Sequence, residues 1–155
     1  MNILLSNITY KPHIGGIENS LFYIGKTLVN KGHKVIILCS DQGFNREDRL
    51  KEHEIIDGLE VIRYKRYIPT FKMFTIIQFF LDIYRTFLIA KNIHAQYPLD
   101  MVIARNTRVG LGIRIALNSV FFVYVVPSII KYLDQSSIKN KKLNIYIPLA
   151  GSEAN

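Results

Sequence analysis

Two stretches of this chain carry residue types that could do chemistry. The first is Lys11-Pro12-His13-Ile14-Gly15-Gly16-Ile17-Glu18, between the apolar run Ile3-Leu4-Leu5 and a helical pattern that begins at Ile17. Paired glycines let a bulky group approach the main chain with no Cβ in the way. The N–H groups of such a loop, with the positive end of the following helix, suit an anion such as phosphate. Glu18 falls in the first helical turn, where the helix dipole alone favours an acid. The second stretch is Arg105-Asn106-Thr107, just past the apolar run Met101-Val102-Ile103-Ala104. Asp41 follows another apolar run, where dinucleotide enzymes place an acid on the ribose; without a Gly-x-Gly-x-x-Gly loop it reads as a solvated residue.

Those residues need elements to hold them. Asn2 to Ser6 is short and dense in Ile and Leu, as a central parallel strand would be. Ile17, Leu21, Ile24 and Leu28 recur at helical spacing, and Gly32 ends that helix with Lys31 and His33 near its negative end. Val35 to Cys39 is a second strand, completing a right-handed βαβ unit. A polar loop, 41–51, leads to Glu54-Ile55-Ile56 and Leu59-Glu60-Val61-Ile62, which flank the hairpin signal Asp57-Gly58. A basic and aromatic segment follows, with Arg63, Tyr64, Lys65, Arg66, Tyr67, Phe71 and Lys72. Met73 to Gln96 then reads as one long helix, its polar residues Thr75, Gln78, Asp82, Arg85 and Asn92 forming a solvent stripe. Mid-run charges are expensive in a bilayer, so this helix is expected not to cross one. Beyond it come the strand Met101–Ala104, a helix carrying Leu111, Ile115 and Asn118, flanked by Ile113 and Leu117 and with Thr107 as its cap, and a strand from Phe121 to Val126. Pro127 ends that strand, and 128–133 reads as a short helical turn. Alternating strands and helices predict an α/β fold with a doubly wound parallel sheet, whose ligands sit beyond the strands' C-terminal ends.

The chain's 155 residues are one domain's worth, and 49% are apolar. A net charge of +8 calls for an anionic partner. Nucleic acid is the weaker choice, since no binding motif for it is present. Cys39 is the only cysteine, which leaves no intrachain disulfide and no cysteine-built metal site, and fits a reducing compartment. The N-terminus, with no basic n-region and no cleavage site, does not read as a signal peptide.

In this order and at this spacing, Gly15-Gly16-Ile17-Glu18, Leu21, Leu28 and Lys31-Gly32-His33-Lys34-Val35 resemble the N-terminal half of family 4 glycosyltransferases, with their two-domain GT-B fold. The Asp57-Gly58 hairpin and the Asp100-Met-Val-Ile strand fall in family-like places, and the match runs over 1–133, with 134–155 an incomplete or poorly ordered tail. The resemblance implies a Rossmann-like domain that binds the acceptor of a retaining transferase, with Gly15 and Gly16 approaching the diphosphate of a nucleotide-sugar. The acceptor would be a glycan or lipid-linked, as in cell-surface polysaccharide synthesis. It implies no metal and no cofactor beyond the nucleotide-sugar as donor. The donor-binding C-terminal domain is absent from this sequence, so inactivity alone is expected unless a second chain supplies it. Glu52 and Glu60 have the family's Glu-x7-Glu spacing but straddle a hairpin turn, and the match is accidental. Where many members carry a histidine, this chain has Arg105, whose guanidinium could grip a phosphate or carboxylate bidentately. His13, Arg105 and Asn106 are the acceptor-side candidates.

Two other functional classes fit the same strands and helices. One is a non-catalytic docking fragment: Lys65, Arg66, Phe71 and Lys72 precede a helix whose apolar face is wider than one sheet contact needs, and together they suit an anionic lipid surface. The chain would then be cytoplasmic and peripheral on the inner membrane face, or buried under a partner. The other is a nucleotide-binding oxidoreductase or epimerase, which needs a glycine fingerprint this chain lacks. A decayed gene product is a further alternative.

Overall fold

The computed structural model describes residues 1–45, 47–69 and 71–125. Within them the chain runs β1 (Asn2–Ser6), α1 (Gly16–Asn30), β2 (Lys34–Ser40), β3 (His53–Ile56), β4 (Leu59–Tyr64), a 3-10 turn (Lys72–Phe74), α2 (Thr75–Gln96), β5 (Met101–Ala104), α3 (Thr107–Ala116) and β6 (Phe121–Tyr124). One sheet holds the strands in the order β3-β4-β2-β1-β5-β6. All pairs are parallel except β3 with β4. The expected extension to Val126, the helical turn at 128–133 and the tail from 134 lie outside the described residues.

The alternation of side chains along each strand builds two cores. Ile3, Leu5, Val35, Ile37, Leu59 and Val61 face α1, while Leu4, Ile36, Leu38, Tyr64 and Val102 face α2 and α3. Helix α1 seats Leu21 in the first core, and Gly25 lets its backbone ride close over Leu59 and Leu5. It stops where the sequence predicts: Gly32 takes φ +81°, its N–H donates to the Val29 carbonyl and the His33 N–H to Leu28. Those two bonds are a Schellman motif, so Lys31-Gly32-His33 is a helix stop before it is anything else. Asp57 and Gly58 take φ 51° and 81°, the mirror-image turn that a tight hairpin demands.

Helix α2 reverses part of an expectation: of the stripe's five polar residues Thr75 and Asn92 are exposed and Arg85 is half-buried, but Gln78 and Asp82 are not in solvent. Gln78, Asp82 and Thr86 point inward and are buried, with Ala90 and Ile93, whereas Ile76, Phe80 and Tyr84 face solvent. Two contacts fix this orientation. Thr86 and the Ile83 carbonyl press so closely on Gly112 of α3 that a Cβ there would overlap both. Arg66 comes up beneath the helix and sets its Nε 3.6 Å from Asp82 Oδ2. Helix α3 follows suit: Val109, Gly110, Gly112 and Ile113 are its buried face, and Leu111 and Ile115 are exposed rather than seated. Its cap is Asn106, whose side chain accepts from the Arg108 N–H at 3.0 Å, in place of the expected Thr107.

Two outcomes follow from this packing. Gly112→Ala should destabilise the chain by about 1–3 kcal/mol in urea unfolding, because one of the opposing atoms is a backbone carbonyl that cannot rotate away. Asp82 should give a pH signature. Burial holds its carboxyl pKa above the ordinary value, against the opposing pull of Arg66. The folded chain therefore keeps this proton longer than the unfolded one, and the group's contribution to stability falls as pH rises from the ordinary carboxylate value through the raised one. Asp82→Asn removes that titration. The stability of the variant relative to the parent should rise across unfolding curves taken from about pH 4 to about pH 8; a difference constant with pH would contradict it.

Candidate functional site

The chain leaves β1 for β2 on one side of the sheet and later returns to β5 on the other, so the crevice at the C-terminal ends of β1 and β5 is the switch point where such sheets bind ligands. Both predicted stretches arrive there. Gly15 is the extended cap residue of α1 and Gly16 its first helical residue. Arg105 follows β5, its N–H donating to the Ser6 carbonyl at 3.0 Å. Its guanidinium reaches across the switch point, and Nη1 donates to Ser20 Oγ at 2.5 Å. Burial lowers the pKa of Arg105 and Glu18 opposes that shift; a guanidinium stays charged regardless.

The two glycines differ. A Cβ on Gly15 would meet Glu18 Oε2, because the Glu18 carboxylate folds back over the cap while its Oε1 accepts from Thr9 Oγ1 at 2.5 Å. A Cβ on Gly16 would meet nothing within 4 Å, so this is the open approach to the helix N-terminus. Glu18 thus braces the loop as well as answering the dipole. Thr9 and Ser20 are the contributors that the sequence did not flag. Ser20 stands four residues after Gly16, a helical spacing that places it above the same helix end.

A buried arginine holds the outer wall of the loop. The Arg63 side chain is fully buried on β4, donating to the Lys11 carbonyl at 2.8 Å and the Lys51 carbonyl at 3.0 Å, and paired with Glu54. Beside it, the Cys39 thiol is pushed up to about 12 by burial, which leaves it protonated and unreactive. Within the loop the Lys11–Pro12 bond is cis, and the His13 N–H closes the turn on the Tyr10 carbonyl at 3.1 Å. The His13 ring lies against Phe44, with Nε2 2.8 Å from the Gln42 carbonyl oxygen. It therefore stitches the glycine loop to the loop after β2.

The remaining candidates are placed as follows. Asn106 is occupied in capping α3, and Thr107 Oγ1 lies 2.6 Å from Tyr124 Oη at the end of β6. Asp41 is buried rather than solvated: Oδ1 accepts from the Arg66 N–H at 2.8 Å, and Arg49 lies 3.6 Å from Oδ2. Arg66 turns inward to Gln42 and Asp82, while Lys65 is exposed and pairs with Glu52 at 2.9 Å. Asp41, Arg49, Lys51, Glu52, Lys65 and Arg66 line a groove of about 680 Å³ past the ends of β2 and β4. Phe71 is exposed, and Lys72 opens the 3-10 turn. Glu60 lies within β4 and pairs with His53 and Lys34, consistent with an accidental Glu-x7-Glu spacing. Among the described residues no cluster of His, Cys, Asp and Glu could hold a metal ion.

No protein-family model matches the sequence, and no curated protein does. Solved structures do. Sucrose-phosphate synthase from Thermosynechococcus elongatus superposes with a TM-score of 0.57 at 18% identity over 82% of this chain. A second structure of that synthase gives 0.53 at 17% over 83%. The catalytic domain of starch synthase IV from Arabidopsis thaliana, bound to ADP and acarbose, gives 0.48 at 15% over 80%. The chain spans 33% of the length of the first synthase chain and 64% of the second. Likeness at these identities is likeness of fold, and these synthases are GT-B glycosyltransferases. The chain has the α/β architecture of a Rossmann-like half of a GT-B fold.

Proposed function

We propose that this chain is the acceptor-side half of a retaining glycosyltransferase of family 4 type, which moves a sugar from a nucleotide-sugar to a glycan or lipid-linked acceptor. The observation that carries this is the meeting of the open Gly16 N-terminus of α1 with Arg105 at the sheet's switch point. Each does one part of the work. The N–H groups at Gly16 and the helix dipole receive the donor diphosphate and stabilise the charge that grows on it as the sugar leaves. Arg105, kept charged and fixed by Ser20, orients an anionic acceptor group beside it. Glu18, braced by Thr9, keeps the loop in shape for both. His13 and Asn106 act on the site indirectly, one by joining two loops and the other by starting α3 at the crevice. The fold likeness to sucrose-phosphate synthase, a GT-B glycosyltransferase, supports the reading. Nucleotide grip then falls to a donor-side domain, in a second chain or elsewhere in a longer one.

The proposal is tested by mixing. Purified chain alone should not turn over a nucleotide-sugar, whereas addition of a donor-side domain should produce transfer. Turnover by the chain alone would overturn it. In the mixture, Gly16→Val should lower kcat/KM about tenfold or more, equivalent to about 1.4 kcal/mol of lost transition-state stabilisation. Its melting temperature should stay near the parent's, because the added side chain enters open space. A Gly16→Val enzyme with unchanged kcat/KM would remove the glycine loop from the site.

A further inference from the structure

From Ile76 to Leu88 the outside of helix α2 is apolar. Ile76, Phe80, Tyr84 and Leu88 stand at four-residue spacing, so they form one ridge, and they are 68%, 63%, 59% and 41% exposed. Met73 and Ile77 extend it toward the helix start, and Leu111 and Ile115 of α3 are exposed as well. A run of large apolar side chains on this scale marks an interaction surface rather than ordinary exposure. No helix among the described residues is long and apolar enough to cross a membrane.

The charges beside the ridge identify what covers it. Lys91 is exposed with its ammonium 4.8 Å from the Phe87 ring, and Arg108 lies over Phe79, both rings belonging to α2; Arg114, exposed on α3, lies instead against Phe122 of β6. The single acid on the two helices is Asp82, which is buried. The asymmetry extends along the sequence: 61–125 holds nine Lys and Arg against two Asp and Glu, while 1–60 holds seven against eight. A second copy docking by the same face would set these cations against themselves with no exposed acid on either helix to meet them. Nucleic acid would demand a polar phosphate-binding surface where this one is aliphatic and aromatic. An anionic bilayer answers both features, taking the apolar ridge into the headgroup–acyl boundary and the cations into its negative surface potential.

We propose that the outer face of α2, with the adjoining face of α3, docks in the plane of an anionic phospholipid membrane. The surface centres on Ile76, Phe80, Tyr84 and Leu88, not on Arg66, which the fold has turned inward. Helix α2 starts on the side of the sheet where β4 ends, the side that holds Arg105 and the glycine loop. Docking would therefore bring the crevice edge to the lipid surface, where a lipid-linked acceptor resides. The docking itself does not depend on the transfer reading, and its test measures no transfer.

The chain contains no tryptophan, so Tyr84→Trp introduces a single reporter on the ridge. Its emission should shift to the blue on adding phosphatidylcholine vesicles that contain phosphatidylglycerol. The 155-residue chain should co-sediment with those vesicles and much less with phosphatidylcholine alone. Ile76→Ser with Phe80→Ser should cut partitioning at least tenfold while the far-ultraviolet circular dichroism stays unchanged, since both side chains are exposed. Lys91→Gln should cut it about fivefold at low salt. Emission from the Tyr84→Trp reporter that does not shift, or co-sedimentation indifferent to the serine substitutions, would overturn the proposal. So would a concentration-dependent dimer that Phe80→Ser dissolves and that leaves vesicles unbound, which would assign the face to a second copy.

Discussion

The glycine loop stays where it is because Arg63 is buried beneath it. A guanidinium without solvent must find partners for its donors, and a fully buried one is tolerable only where oxygen atoms converge on it. Here the Lys11 carbonyl, the Lys51 carbonyl and Glu54 supply them for the two terminal nitrogens. These three belong to the loop after β1, the loop after β2 and the hairpin strand β3. A single side chain on β4 thus locks three segments that diverge from the sheet, and one of them carries Gly15 and Gly16. Removing the charge would not merely delete a bond. It would release three backbone segments whose mutual register sets the crevice's outer wall, leaving the loop to ties such as Lys11 to Asp57, His13 to Gln42 and Thr9 to Glu18.

The same logic explains which parts of the fold were legible in the sequence. Signals that act over a few residues were readable because their physics is local. Gly32 had to take a left-handed backbone to stop α1, Asp57-Gly58 had to make a tight turn, and the Ile- and Leu-rich runs had to be buried strands. A crevice beyond the strands' C-terminal ends followed from the alternation of elements, whereas the strand order that puts its switch point between β1 and β5 came from the fold. Arg105 could be put at that end of the sheet for the same reason: a residue directly after a buried strand lies at the strand's C-terminal end.

What could not be read was direction. The polar residues of α2 lie on one face at helical spacing, but periodicity says only that a face exists, not which way it turns. The usual rule would send Gln78 and Asp82 to water. The fold instead sends them inward, because α3 approaches so closely at Gly112 that Thr86 fits and a large side chain would not, and because Arg66 waits beneath to meet the acid. Neither contact is visible in sequence, since Asp82 and Arg66 are separated by a turn and Thr86 and Gly112 by a strand. Arg63 and Arg66 were hidden likewise. In composition they add to a basic segment; in the fold they are structural cations with assigned acids and carbonyls.

That inversion separates two uses of positive charge within one short stretch. Arg63 and Arg66 are consumed internally, holding loops and balancing Asp82, and are unavailable to a surface. Lys91 and Arg108 instead lie against aromatic rings of the helix that carries the exposed apolar ridge, and neither α2 nor α3 has an exposed acid to neutralise them. A buried cation rigidifies the crevice, whereas one beside an apolar ridge adds long-range attraction to a surface whose affinity comes from apolar burial. Because α2 begins where β4 ends, the rigid crevice and the apolar ridge lie toward the same edge of the sheet. The proposed transfer from a soluble anionic donor to an acceptor held in lipid would use both features together: a fixed polar wall on the sheet, and beside it a helix whose apolar ridge faces outward.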